Sequence, residues 1–322
     1  MTTSPEAATF VSRFDQLVGN VGRAIHGKDA VVRAALTCVL AEGHLLIEDV
    51  PGVGKTSLAR AIAASVALTW NRIQFTPDLL PTDVTGVSVF DQATSTFSFR
   101  PGPVFANIVL GDEINRASPK TQSALLEVMQ ERTVSTDATV YEVPRPFVVV
   151  ATQNPIDLEG TYILPEAQLD RFMMRLSVGY PSPEAEVAVL RSERDESTVA
   201  TLSPVMSGPD LLAMIDFVKA NVEVAPAIEH YIVAVSAQTR QLADVRLGVS
   251  PRGSLALLRA ARVAAAAAGR SYVTPDDVKA LAEPTLAHRI ILRADAEIQG
   301  RTAAEIVARA LQAVPVPRTL MR

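Results

Sequence analysis

The chain has 322 residues, 48% of them hydrophobic, with a formal net charge of −5 and one cysteine, which is material for about two domains. No apolar run approaches the ~18 residues of a membrane span, and Cys38 has no partner for an intrachain disulfide or a Cys-based metal site. The acidic balance argues against a wide nucleic-acid surface, and the first ten residues lack the charged and apolar regions of a signal peptide, so the cytoplasm is the expected compartment.

Five β-rich runs alternate with helical patterns along the chain: HLLIE (44–48), RIQF (72–75), NIVLGD (107–112), PFVVVAT (146–152) and RLSVGY (175–180). That alternation predicts an α/β fold, a five-stranded parallel sheet flanked by helices. Ligands of such sheets bind beyond the carboxyl ends of the strands. Three of the runs lead into polar constellations there: Asp49 to Thr56, Asp112-Glu113, and Gln153-Asn154. Segments 86–102 and 132–143 interrupt the pattern and read as two β-hairpins. After Tyr180 a helix begins, with Ser182 as N-cap and Pro183 at the first helical position. Residues 197–210, rich in Ser, Pro and Gly, read as a linker or long loop. From Leu211 onward the chain reads as helical, with Thr274 and Asp277 as a capping pair and Pro284 ending or kinking its helix. The predicted division is an α/β core over 1–181 and a helical domain over 182–322.

The stretch LLIEDVPGVGKTSLARAIA (45–63) approaches the phosphate-binding pattern G-x-x-x-x-G-K-[ST], except that Asp49 stands where the first glycine belongs. Gly52 and Gly54 allow a tight turn that brings backbone N–H groups toward phosphate oxygens. The helix beginning near Lys55 adds its positive end, Lys55 supplies charge near the terminal phosphates, and Thr56 supplies a hydroxyl for Mg²⁺. The first position lies farthest from the phosphates, so an aspartate is tolerable there unless the backbone demands glycine. Some fifty-five residues on, an apolar strand ends in Asp112-Glu113, the carboxylate pair of a phosphate-hydrolysing site. Asp112 would hold Mg²⁺ through water and Glu113 would polarise the attacking water. Adjacent carboxylates repel, which favours a divalent cation beside them. Asn154 ends the next strand with an amide able to reach the γ-phosphate or the water. Arg171, before the fifth strand, and Arg252, at a helix start, carry the planar charge that suits phosphate oxygens.

Taken together, LLIEDVPGVGKT, DEINRASPKTQSALLEVMQE, ATQNPIDLEGTYILPEAQLDRF and SPRGSLALLRAAR resemble the MoxR-type group of AAA+ ATPases, over roughly Gly19 to Leu311. The resemblance implies an AAA+ P-loop core with a helix-2 insert and a pre-sensor-1 insert as the two hairpins, as in magnesium-chelatase ATPase subunits, and an all-helical C-terminal lid. It implies Walker A contacts to ATP at Pro51, Gly52, Val53, Gly54, Lys55, Thr56 and Ser57, and Walker B at Asp112 and Glu113. Asn154 then corresponds to sensor 1, Arg171 to an arginine finger offered to a neighbouring subunit, and Arg252 to sensor 2. Ile25, His26 and Gly27 fall where the family contacts adenine, with Lys28 in place of the usual glutamine.

The implied activity is hydrolysis of ATP with Mg²⁺, at a site closed between core, lid and adjacent protomer, in a homo-oligomeric ring of six. The implied role is chaperone-like remodelling or maturation of partner proteins, including metal insertion, together with a von Willebrand factor A-domain protein. Alternatives are a DNA translocase or helicase-like motor, for which no basic channel is visible, and a non-hydrolysing ATP-switched scaffold, which the intact carboxylate pair disfavours. A small-molecule kinase fits two motif arginines poorly. The hairpin bearing Phe97 and Phe99 is a candidate substrate- or pore-facing element, with packing as the plainer role. The histidines at 26, 44, 230 and 288 have no metal-ligand spacing.

Overall fold

The computed structural model describes residues 5–50, 52–93, 95–136, 139–154, 162, 164–184, 186–187, 199 and 201–317. Two helices, α1 (Pro5–Gly22) and α2 (Asp29–Leu40), precede strand β1 (Leu45–Glu48) and helix α3 (Lys55–Ser65). Strand β2 (Trp70–Gln74), the short α4 (Pro81–Thr85) and the hairpin β3 (Gly86–Asp91) and β4 (Thr96–Pro101) follow. Next come β5 (Ile108–Asp112), α5 (Pro119–Glu131), a second hairpin of β6 (Thr133–Thr136) and β7 (Thr139–Glu142), then β8 (Val148–Gln153), α6 (Glu166–Leu169) and β9 (Met174–Leu176).

The five expected strands form one parallel sheet in the order β2-β5-β8-β1-β9. Side chains alternate across a strand, and here alternation divides the core in two. Leu45, Ile47, Ile108, Leu110, Val148 and Val150 face the cluster shared with α1, α2 and α3. Leu46, Val109, Val149 and Ala151 face Leu125, Leu126 and Met129 of α5 together with Phe147 and Phe172. The central strands β5 and β8 are therefore apolar almost throughout, as a sheet covered on both faces requires.

The fifth strand is shorter than the run RLSVGY suggests. It stops at Leu176 because the Asp49 carboxylate takes the Ser177 hydroxyl (2.9 Å) and the Gly179 N–H (2.6 Å), drawing the chain away from the sheet. The Ser182 cap opens a helical turn in which the Glu186 N–H donates to the Ser182 carbonyl, at 2.8 Å. The rest of that predicted helix, from residue 188 on, and residues 197, 198 and 200 of the predicted linker lie outside the described residues. Residues 201–207 are docked: Leu202 and Met206 are buried, Asn20 donates to the Ser203 carbonyl (3.1 Å), and the Val205 N–H donates to the Ser65 carbonyl (2.9 Å).

The C-terminal part comprises α7 (Gly208–Asn221), α8 (Pro226–Gln241), α9 (Pro251–Ala267), α10 (Pro275–Leu286), α11 (Ala294–Ile298) and α12 (Ala303–Ala313). Capping by Ser207, Ser250, Thr274 and Thr302 sets the starts of α7, α9, α10 and α12, the Thr274–Asp277 pair as anticipated. Helix α10 runs two residues past Pro284 and then tightens into a 3₁₀ turn over Ala287–Arg289. The part is not purely helical, since β10 (Val245–Leu247) and β11 (Ile291–Leu292) pair antiparallel. One hydrophobic cluster joins these helices to α1, α2 and α3 without a break at residue 181.

Candidate functional site

Between β1 and α3 the chain makes the turn that the sequence pattern demands. Gly52 and Gly54 have φ of +84° and +93°, the left-handed region where a Cβ is costly, and Gly54 ends the turn as the N-cap of α3. Asp49 has no positive φ, so the glycine of the general pattern is not needed there. Its carboxylate also accepts the Val50 N–H (2.9 Å), in addition to Ser177 and Gly179. Burial pushes the Asp49 pKa up, but these hydrogen bonds outweigh it, and the net shift is downward. The aspartate thus ties the turn to the exit of β9. Lys55 donates to the Asp49 carbonyl at 2.5 Å, while Thr56 and Ser57 open the first turn of α3, half-buried. Burial lowers the Lys55 pKa against the opposing pull of Asp49, Asp112 and Glu113. Pro51 lies outside the described residues.

Ile25 approaches the same turn. The Ile25 Cδ1 lies 4.0 Å from where a Cβ on Gly54 would stand, and Gly27 adopts φ +70°. Lys28 donates to the Tyr180 carbonyl at 2.7 Å.

Asp112 ends β5 beside this turn. Thr152 of β8 donates to its Oδ1 at 2.6 Å, and Arg72 of β2 donates to its Oδ2 at 2.6 Å. Glu113 adopts φ +56°, its N–H donates to Thr152 Oγ1 (2.9 Å), and its carboxylate meets Arg116 (3.2 Å) and the Gln74 amide (3.3 Å). The repulsion that favours a divalent cation is offset here by Arg72 and Arg116. Sequence reasoning missed Arg72 and Gln74. Their shared parity on a strand bordering β5 was the available signal. Asn154 directly follows β8, whose Gln153 pairs with Glu48 of β1, so it lies buried across from Asp49.

The turn, the carboxylate pair and Asn154 therefore share the carboxyl end of the sheet. Among the described residues, no group of three or more His, Cys, Asp or Glu side chains is arranged to hold a metal ion. Thr56 and Asp112 fit an ion that arrives with phosphate oxygens and keeps several waters, the usual manner of Mg²⁺.

Arg171 and Arg252 do not lie at that end. Both line a cavity of about 850 Å³ together with residues 40–44, Met129, Arg145 and Met173. These residues precede β1, β6, β8 and β9, so the cavity opens at the amino end of the sheet. Strand β1 has four residues, which separates the two ends by roughly 13 Å. A lid closing Arg252 over its own Lys55 is not the observed arrangement. Instead Arg252 stands beside Arg171, whose pKa is lowered by burial and by that neighbouring charge. Arg252 reaches Asp170 at 3.8 Å and the Gln130 amide at 3.5 Å.

Below the same cavity, buried Glu42 gathers Arg132 (3.2 Å), Arg145 (2.9 Å) and Lys219. Burial raises its pKa, yet the hydrogen bonds from Arg145 and Lys219 and the charge of Arg132 bring it down to about 2. Arg289 is buried against Asp170.

On the hairpins, Phe99 stacks on Tyr141 at 4.2 Å and meets Phe105 edge-on, whereas Phe97 is 71% exposed beside Phe90. The two phenylalanines of the predicted element thus divide between packing and exposure.

The profile of the ATPase family associated with various cellular activities (AAA) matches residues 44–174, and that of the AAA lid domain matches 237–310. The Chaperone MoxR1 of Mycobacterium tuberculosis is 43% identical over 97% of this chain and 84% of its own. The Uncharacterized protein YeaC of Bacillus subtilis is 49% identical over 93% of both chains, and the Protein MoxR of Paracoccus denitrificans is 33% identical over 87% and 89%. The crystal structure of a candidate ATPase from Cytophaga hutchinsonii superposes with a TM-score of 0.89, at 35% identity over 97% of each chain.

Proposed function

The chain belongs to the MoxR group of AAA+ ATPases, with a helical lid and a chaperone-like character, and from that membership we propose that it hydrolyses ATP to ADP and phosphate at a site completed by a second copy. The observation that carries this reading is the division of the motif residues between opposite ends of one sheet. Lys55, Asp112, Glu113 and Asn154 stand at the carboxyl end, and Arg171 and Arg252 at the amino end. No single chain brings the two sets to one phosphate.

In this reading the N–H groups of the 52–57 turn cradle the phosphates, Lys55 turns from the Asp49 carbonyl to the terminal oxygens, and the base lies toward Ile25 and Gly27. Glu113, released from Arg116, accepts a proton from the attacking water, which Asn154 helps to orient. Thr56 and Asp112 would hold Mg²⁺, which when bound would supply charge neutralisation at the phosphates. Arg171 and Arg252 of the adjoining copy meet the charge that develops on the transferring group. Head-to-tail contacts of this kind close into a ring, here of six. The core (1–181) and lid (182–322) change their mutual contacts as phosphate is lost, and that movement remodels a client protein, including by metal insertion, together with a von Willebrand factor A-domain partner. No helix among the described residues is long and apolar enough to cross a membrane. The setting proposed is the cytoplasm.

The test is phosphate release as a function of protein concentration, for the wild type and for Arg171→Ala. Specific activity should rise steeply with concentration, and Arg171→Ala should lose about 10³-fold or more while binding nucleotide as before. Full activity in a strictly monomeric sample would refute the composite site.

A further inference from the structure

The amino-end cavity holds more cationic charge than the two motif arginines explain. Arg132, Arg145 and Lys219 are committed to Glu42, and Arg289 to Asp170. Arg259 and Arg262 also line the cavity, and among the described residues neither has a hydrogen-bond or ion-pair partner within contact distance. The Arg262 Nε is buried without any acceptor. Arg171 likewise has no carboxylate within ion-pair distance among the described residues.

Helix geometry explains why these charges form a row. Arg252 and Arg259 are seven residues apart on α9, two turns along one face, and Arg262 stands three residues further. The opposite face of α9, with Leu257, Ala260, Ala261 and Ala265, is buried in the core, so the helix cannot rotate to relieve the crowding. Arg252 is close enough to Arg171 for its charge to lower the Arg171 pKa, and Arg259 and Arg262 continue the same row along the cavity. The one carboxylate lining the cavity among the described residues, Glu42, is already taken by Arg132, Arg145 and Lys219, so an anion for Arg259 and Arg262 must come from outside.

The other end of the molecule supplies the complement. A bound triphosphate would make it anionic, since Arg72 and Arg116 there are already paired with Asp112 and Glu113. We propose that Arg259 and Arg262 are further phosphate-binding residues, acting with Arg171 and Arg252 on the triphosphate held by a second copy of this chain. The occupant is a polyphosphate presented by an identical surface. This assignment rests on the composite-site reading above and extends it to two residues that no motif singles out.

Complementation between variants tests it. Arg259→Gln should lower turnover roughly 10- to 100-fold, the loss of one charge-assisted contact, and leave nucleotide affinity of dilute subunits unchanged. Lys55→Ala should be inactive because its own turn holds no phosphate. In an equimolar mixture, some sites pair an intact turn from the Arg259→Gln subunit with intact arginines from the Lys55→Ala subunit. Phosphate release above both parents is expected, up to about a quarter of the wild-type rate for random heterologous assembly. Arg262→Gln, assayed in the same way, gives a second reading, and melting curves establish that each variant is folded. Arg171→Ala mixed with Lys55→Ala is the control for the composite site. Regain in that control but in neither the Arg259 nor the Arg262 mixture overturns this inference alone. Absence of regain in all three overturns the composite site with it.

Discussion

At the carboxyl end of the sheet, Asp49, Asp112 and Glu113 each hold hydrogen-bond donors of their own chain. At the amino end, Arg171, Arg259 and Arg262 line a cavity whose carboxylate, Glu42, is held by Arg132, Arg145 and Lys219, and none of the three has an ion-pair partner among the described residues. The first end is internally balanced, and under the proposed function loading it would require exchange: Lys55 would leave the Asp49 carbonyl, and Glu113 would leave Arg116. The second end is unbalanced and requires addition. A surface that must give up partners facing a surface that lacks them is the arrangement expected of a head-to-tail assembly, in which each copy is incomplete in a different place.

The largest effect should come from the balanced end. Glu113→Gln keeps the shape and the Gln74 contact but cannot accept a proton, so turnover should fall by about 10²–10⁴, with ATP still bound in a filter or fluorescence assay. Wild-type phosphate release would remove Glu113 from the reaction and dissolve the functional contrast between the ends.

Next in size is the balanced cluster around Glu42 at the amino end. Glu42 is buried under three cations, and Glu42→Gln would leave Arg132 and Lys219 without their anion and Arg145 with Asp216 alone. Losing one member of such a cluster should cost about 3 kcal/mol, measured as a lower midpoint in urea. An unchanged midpoint would show that the cations simply turn to solvent.

Acid should also act first at the amino end. His44 accepts the Val149 N–H at Nδ1 and, as the neutral Nε2–H form, donates to the Met129 carbonyl. Burial, with Arg132 nearby, lowers its pKa to about 4. His288, buried beside Arg289 and bonded to the Phe172 carbonyl, is lowered as well. The unfolded chain titrates these groups near 6.5, so between pH 6.5 and 4 it binds more protons than the folded one, and stability falls as pH falls. At pH 5 His44 alone should account for a loss of about 2 kcal/mol relative to pH 7. The Glu42 contribution is intact above its unfolded value and disappears only as pH falls from 4.5 toward 2. A urea midpoint that held steady from pH 7 to 5 would contradict the neutral buried histidines.

Much of this was legible in the letters. β-Branched runs at strand length announced the five strands, and the turn around Gly54 and the pair Asp112-Glu113 were recognisable from their neighbours in the chain. Asp49 looked like a defect in the phosphate-binding pattern. The fold makes it a tether to Ser177 and Gly179, which no local rule foretells. Arg72 looked like an ordinary strand residue forty positions before the aspartate it neutralises. Arg252 was legible as an arginine at a helix start in the lid, but its place beside Arg171, at the end of the sheet away from Lys55, was not.

By itself, then, the sequence determined where strands alternate, where the turn needs glycine, where helices are capped and which carboxylates stand side by side. These features depend on steric and hydrogen-bonding rules that operate within a few residues. Only the tertiary structure decided which charge meets which. That depends on the strand order β2-β5-β8-β1-β9 and on the face α9 turns inward, both fixed by burial of apolar surface between segments distant along the chain.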